Sequence, residues 1–416
     1  MAGELMSGDD THSYDPVGDE TLADPMPAYA ELRSKCPVHL FDGLERPMYT
    51  FSRREDVQSV LTDALLWSNR LGPGIAVSDN NVGDLQRYDP PDHEVRRRFL
   101  RAPFLPRAVE ASGPRIEALA RELATRLAPT GTAELHDEYA LPLPVQALVD
   151  MMGVSDSDGQ DFKIWADDLT LGMTYPDRAL DSRRAMTAYT VGQIQQRRAA
   201  VAAADLGPDD DPIGSVVPEG LLSHMACQPL EDGEFMPDRE LAAMVGQLLV
   251  AGHETTTSLI TNATWRLLED RDRWERLVAE PELIPNVIEE SLRFDPPVLG
   301  LCKTNNEPVE RHGVDIAIDS KVMVLYASAN RDEAFFDRAD EFLVDRPLLE
   351  AKKHLSFGWG SHFCLGAHLA RLTGRIGLQV LVETFPNLRL AGPTERVGAP
   401  FLWGRSKLHV AWDPNT

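Results

Sequence analysis

Between residues 239 and 269 apolar positions recur at helical spacing: Leu241, Val245, Leu248 and Leu249, then Leu259, Ile260, Leu267 and Leu268. That pattern predicts one long helix, with Asp238 as its N-cap, spanning about 45 Å at a rise of about 1.5 Å per residue. Its centre breaks the pattern. Gly252, Glu254 and the run Thr255, Thr256, Thr257 stand where the helix should be most rigid, and glycine and β-branched threonine are poor helix formers. Threonine hydroxyls also compete for the backbone hydrogen bonds.

Elsewhere the periodicity is plainer. Ile116, Leu119, Leu123 and Leu127 share a face and predict a helix over 109–129. Further helices are expected at 142–153, 156–170 and 177–203, with a surface loop at 206–214 where Gly, Pro and Asp crowd together. Residues 24–41 read as a short helix entering a strand, and 48–61 as strand, turn and helix. The helix "IPNVIEESLRF" must stop before Pro296 and Pro297. Strand signals are short and scattered: "HGVDIAI", "KVMVLYAS", "NLRLAG" and "KLHVAW". The fold class predicted is mainly α with small β-sheets. Residues 1–18 form a loose N-terminal segment, and 19–416 form one continuous domain.

Composition narrows the function. With 41 basic against 66 acidic residues the net charge is −25, which argues against nucleic acid and against an anionic membrane surface as partners. The N-terminus lacks an apolar signal region, and no apolar run reaches transmembrane length. A cytoplasmic protein without a membrane anchor is expected, and a monomer. Cys36, Cys227, Cys302 and Cys364 lie far apart with no CxxC pairing, so a chemically active cysteine acts alone.

Cys364 is the candidate. It sits where the glycine-rich "HLSFGWGSHFCLGAHLARL" passes from loop to helix. Gly358 and Gly360 permit a tight turn there, and backbone N–H groups at a helix start favour a thiolate, a soft metal ligand. Two further pairs stand out. Glu290 and Arg293 are three residues apart on one helix, and His93 and Arg97 four apart on another, spacings at which side chains meet. Taken alone, each pair is as readily an ordinary surface feature.

Together these segments resemble the cytochrome P450 superfamily, the haem-thiolate monooxygenases, from about residue 20 to the C-terminal "AWDP". Phe357, Gly358, Gly360, His362, Cys364 and Gly366 match its FGxGxHxCxG loop. The resemblance implies a long central helix over the distal haem face, the Cys loop on the proximal face, haem b as cofactor and dioxygen as co-substrate. It makes Cys364 the iron ligand and places Phe357, Gly358 and Gly366 against the haem. His93, Arg97 and His362 are the implied propionate partners, with Lys303 where the family usually has an arginine. Ala251 to Thr256, "AGHETT", matches the family's A-G-x-[DE]-T-[TS] element. Ala251 and Gly252 then leave room for dioxygen, and Thr255 with Glu254 relays protons. Glu290 and Arg293 form the buried structural ion pair. Its usual third arginine is replaced by Glu341, with Arg346 or Arg331 as substitutes.

This chain has no flavin or nicotinamide fold. The resemblance to the soluble bacterial class implies electrons from NAD(P)H through a ferredoxin and its reductase. Arg96, Arg98, Arg101, Lys352 and Lys353 are expected to form a basic docking patch for that partner. The substrate pocket is expected from Ile75, Val77, Leu248, Ala251, Val298, Leu299, Leu301, Phe401 and Leu402. This lining is mostly aliphatic with no charged group placed to hold a carboxylate. It implies hydroxylation of an apolar terpenoid, steroid, aromatic or polyketide-like molecule. Peroxygenase and oxidative-coupling enzymes share the fold. The acid–threonine pair favours dioxygen over peroxide, and favours turnover over a non-enzymatic haem sensor.

Overall fold

The amphipathic segments become helices around a few short strands. The computed structural model describes residues 14–44, 46–77, 83–155, 159–207 and 210–414. Residues 1–13 of the expected loose segment, 156–158 of the expected helix and 208–209 of the expected loop lie outside the described residues. Helices α1 (Asp19–Ala23) and α2 (Met26–Lys35) lead into strands β1 (Val38–Phe41) and β2 (Met48–Phe51). Helix α3 (Arg54–Thr62), strand β3 (Trp67–Ser68) and helices α4 (Asp92–Leu100) and α5 (Pro106–Leu127) follow. After β4 (Thr132–Glu134) come α6 (Pro142–Met152), α7 (Gly159–Leu171), α8 (Leu180–Ala203) and α9 (Leu221–Cys227). The long helix is α10 (Asp238–Leu268), succeeded by α11 (Arg271–Ala279) and α12 (Ile284–Phe294). Strands β5 (Leu301–Asn305), β6 (Val309–Arg311), β7 (Val314–Ile316) and β8 (Lys321–Val324) precede the short helices α13 (Tyr326–Ala329) and α14 (Leu348–Ala351). Helix α15 (Ala367–Thr384) and strands β9 (Arg389–Arg396) and β10 (Arg405–Ala411) complete the chain. Among the described residues no helix is long and apolar enough to cross a membrane.

Three local expectations are corrected. The N-cap of α10 is Pro237 rather than Asp238, because the Asp238 carboxylate is drawn to Arg198 on α8. "HGVDIAI" is not one strand. His312 and Gly313 both take positive φ, 52° and 79°, and turn β6 back onto β7 as a two-residue hairpin. "KVMVLYAS" leaves the sheet after Val324, and Tyr326 opens a helical turn.

The main sheet runs β1-β2-β8-β5-β3, and β5 lies antiparallel to β8 with Lys303 opposite Val322. A second sheet orders β4-β10-β9. The largest apolar cluster joins α5, α12 and α15 to the C-terminal half of α10. Within it a Cβ on Gly374 would lie 2.9 Å from a terminal methyl of Leu259, so glycine lets α15 approach α10 without that leucine shifting. Residues of both helices line the molecule's main cavity.

The chain is pinned beside this cavity by a buried charge network. Both Glu290 oxygens accept from Arg293, at 2.7 and 2.8 Å, and a second guanidinium, Arg346, donates at 2.9 Å. Arg293 also donates to the carbonyls of Asn330, Ala339 and Glu341. The third member of the network is thus Arg346. Arg331 instead serves the Phe294 carbonyl and Asp295, and the Glu341 carboxylate pairs with Arg338 at the surface. Glu290 and Arg293 are fully buried and Arg346 nearly so. Removing the shared anion leaves two buried guanidiniums uncompensated, so Glu290→Ala should cost about 3–5 kcal/mol. The urea midpoint should drop accordingly, whereas a surface control such as Glu341→Ala should move it little.

Candidate active site

The cavity holds about 710 Å³. Its floor is the cysteine loop. Gly358 and Gly360 take φ of 69° and 70°, and a Cβ on Gly360 would lie 2.5 Å from the Leu61 carbonyl oxygen. The loop closes where the Cys364 N–H donates to the Phe357 carbonyl at 2.8 Å. Phe357, Gly358, His362, Cys364 and Gly366 all line the cavity. The expectation that a helix start lowers the thiol's pKa is corrected. Helix α15 begins only at Ala367, and burial pushes the Cys364 thiol up despite the Gly366 N–H, Arg97 and Arg371 nearby. A cation bound at the sulfur would supply what this surrounding lacks.

One edge of the cavity is wholly cationic or donor. His93 and His362 face each other with ring centroids 4.0 Å apart. Both ring nitrogens of His93, and Nε2 of His362, are buried without a hydrogen-bond partner. Arg97, one turn along α4 from His93, and Lys303 on β5 share the same wall. Burial, then Arg97 and Lys303, press His93 down to about 4. Burial, then Lys303, His93 and Arg97, press His362 to about 2. Burial also brings Lys303 to about 8. Four like-charged or donor groups held this close need an anion among them.

The opposite wall is α10, which stays helical through its weak centre. Ala251, Gly252, Glu254, Thr255 and Thr256 line the cavity, and Ala251 is the exposed residue of an otherwise buried stretch. Two expectations shift here. The missing Cβ of Gly252 faces α6, 3.0 Å from Leu148, so this glycine serves helix packing as much as the cavity. Thr255 and Glu254 are not joined directly. The Thr255 hydroxyl donates to the Ala251 carbonyl at 2.6 Å, and Glu254 accepts from Ser258 at 3.0 Å. Burial raises the Glu254 carboxyl above its ordinary range.

The comparisons with known proteins decide the family. The family model for "Cytochrome P450" matches residues 181–390. Cytochrome P450 107B1 of Saccharopolyspora erythraea is 35% identical over 381 residues, covering 87% of this chain and 88% of its own. The chain belongs to the cytochrome P450 family. It is therefore an oxidoreductase, a haem-dependent monooxygenase. The vitamin D(3) 25-hydroxylase of Pseudonocardia autotrophica is 33% identical, with 98% of each chain covered. A Bacillus megaterium P450 crystallised with testosterone superposes with a TM-score of 0.81 at 27% identity, covering 95% of this chain and all of that one.

The residues present fit a haem. A Cβ built on Gly366 would meet nothing within 4 Å, leaving a flat gap between the cysteine loop and Ala251. The orphaned nitrogens of His93 and His362, with Arg97 and Lys303, suit two propionates at one edge.

Among the expected pocket residues, Leu248, Ala251, Val298, Leu301, Phe401 and Leu402 line the cavity. A β-bridge from Val298 to Leu402 brings the last of these against the segment after Pro297. Leu299 does not line it. The next residue along an extended chain faces the other way, and Leu299 packs in the core with Met48, Cys302 and Met323. Ile75 packs against that same core cluster, and Val77 lies half-buried off the wall. The basic patch is also redrawn. Arg96 turns inward to Glu240 and stacks over Tyr88, and Arg98 pairs with Glu231. Arg101, Lys352 and Lys353 remain exposed.

Sequence reasoning missed the charged end of the cavity, where Asp84, Arg87, Arg183 and Arg239 line the wall. These residues come from separate segments with no shared motif. It also missed His253, buried 3.8 Å from Asp167.

His93 yields a pH test on the apoprotein. Its folded-state pKa of about 4 lies below the ordinary 6.5, so between these values the unfolded chain binds a proton that the native one refuses. Stability should therefore fall as pH drops from 6.5 toward 4, by about 1.4 kcal/mol per pH unit from this residue. Urea midpoints across that range should show His93→Phe flattening the slope by that amount.

Proposed function

We propose that the chain hydroxylates an apolar, multi-ring or macrocyclic small molecule, using dioxygen and two electrons delivered from NAD(P)H through a ferredoxin and its reductase. One arrangement carries the reading: a sulfur on one wall of a cavity, a threonine and a buried acid on the facing wall, and a cationic edge between them. A thiolate-held haem supplies reductive activation of dioxygen, with the thiolate's electron density favouring O–O cleavage.

The chain's own residues do the rest. Cys364 would ligate the iron through its sulfur, and His93, Arg97, Lys303 and His362 would hold the two propionates. Phe357, Gly358 and Gly366 would lie against the haem from the cysteine-loop side, with Ala251 and Gly252 facing it from α10. Glu254, its carboxyl raised by burial, holds its proton to higher pH than a solvent-exposed carboxyl would. Thr255 is anchored on the Ala251 carbonyl and accepts a water-borne proton from that acid. Threonine has two accessible χ1 wells in a helix, so its hydroxyl turns from the carbonyl to the cavity at small cost. Leu248, Val298, Leu301, Phe401 and Leu402 exclude water around the substrate. Relatives named as a vitamin D(3) 25-hydroxylase and a steroid C26-monooxygenase support a bulky apolar substrate. Electrons enter on the cysteine-loop side, where Lys352 and Lys353 are exposed.

The reduced protein under carbon monoxide should show the long-wavelength band that thiolate ligation produces, and Cys364→Ser should abolish it; a band unchanged in the variant overturns the reading. Thr255→Ala should keep that band while product formed per NAD(P)H consumed falls by about 100-fold, the lower end of general acid–base effects. Lys353→Glu should slow reduction by an added ferredoxin several-fold, more at low than at high salt, with the substrate's spectral dissociation constant unchanged.

A further inference from the structure

The end of the cavity away from the cysteine loop is not apolar. Asp84, Gln86 and Arg87 reach it from the segment before α4, Arg183 from α8, and Arg239 and Gln247 from α10. A hydrogen bond of 3.3 Å from the Gln86 N–H to Gln247 ties this segment to α10. Gln247 stands eight residues before Thr255 on α10, about 12 Å along the axis.

The charges there do not cancel. Arg87 lies 3.5 Å from Asp84, which also accepts the Gln86 N–H at 3.1 Å. Arg183 is the surplus. Among the described residues no carboxylate lies within 4 Å of its guanidinium, although it lines the cavity half-buried. Burial and then the neighbouring Arg87 lower its pKa, with Asp84 alone opposing. Arg239 adds a further positive charge at the exposed rim. In a chain with 66 acidic and 41 basic residues, three arginines against one aspartate on a single cavity rim run against the composition.

We propose that Arg183 binds a carboxylate on the substrate, so that this P450 takes an apolar molecule carrying one carboxylate remote from the carbon it oxidises. The proposal rests on the reading of this cavity as the substrate chamber. The planar fork of Arg183 accepts a carboxylate bidentately, and Arg239 at the exposed rim adds to the attraction for an anion. Arg87 and Asp84 remain a pair that positions Arg183 and repels a dianion. The Leu148, Leu169, Met173 and Met186 side chains between the charged rim and Thr255 cover the apolar body.

The test uses spectral titration of the haem-loaded enzyme with two pairs of probes: deoxycholic acid and its methyl ester, and hexadecanoic acid and its methyl ester. In at least one pair the acid should bind tenfold or more tighter than the ester. Arg183→Gln should erase that preference by weakening the acid alone, Arg183→Lys should keep part of it, and added salt should reduce it. Acid and ester binding alike in both pairs, an equal loss of both in Arg183→Gln, or no spectral response to either acid each overturn the proposal. The carbon monoxide band of the same preparations reports folding and the haem-thiolate centre. A failure with that band intact therefore falls on Arg183 and not on the monooxygenase reading.

Discussion

The contact between Leu259 and Gly374 is what the site depends on. Two helices that carry opposite walls of one cavity touch there, and a Cβ would lie 2.9 Å from leucine if position 374 were anything but glycine. Because the helices meet at this point, packing in the apolar core fixes α15, which follows Cys364, against α10, which carries Thr255. That placement does not rely on a flexible loop. Close-packed interiors transmit such constraints with little give, so a methylene added far from the chemistry would reach the reaction centre.

The molecule treats buried charge in two ways. Where the role is structural, the buried carboxylates are answered. Asp295 is fully buried and accepts from Arg266, Arg331 and the Trp403 indole. Burial opposes the charge of Glu289, yet hydrogen bonds from His354 and Arg371 hold it down to about 2. The Glu290 network follows the same rule. Around the cavity the rule is suspended: His93 and His362 have ring nitrogens without partners, and Arg183 has no carboxylate beside it among the described residues. Buried unsatisfied groups are costly enough to be rare in native proteins, so the orphaned ring nitrogens of His93 and His362 mark an edge of the cavity where a bound anion would complete the structure.

That contrast also explains how far the sequence could be read. Periodicity was enough for the long helices, since α5, α8 and α10 each bury a continuous stripe. The short strands were harder: "HGVDIAI" carries a strand-like composition, but its His-Gly pair is a turn whose meaning depends on a partner strand. Cys364, Thr255 and the Glu290–Arg293 pair were legible because each sits in a local motif of fixed spacing. Arg346 was one of two substitutes, and only three-dimensional proximity chose it over Arg331. Leu299 was misplaced because alternation along an extended chain separates neighbours that sequence treats alike. The charged rim left no trace at all, since Asp84 with Arg87, Arg183 and Arg239 come from three separate segments of the chain.

The weak centre of α10 now has a physical account. Thr255, Thr257 and Thr264 each return a hydroxyl to the carbonyl four residues back, at 2.6, 3.0 and 2.8 Å. The residues that lower helix propensity thus satisfy themselves locally, and the helix needs no break. What the sequence loses in propensity is offset by burial on both flanks, where Leu241, Val245 and Leu249 join one apolar cluster and Leu259, Ile260 and Leu267 another. The turn between the two clusters presents Ala251, Glu254, Thr255 and Thr256 to the cavity. A polar, hydroxyl-rich surface there stays open to the cavity while its backbone remains fixed. An acid that must exchange protons and a hydroxyl that must switch partners require that combination, and an alanine- or leucine-rich helix would supply only the rigidity.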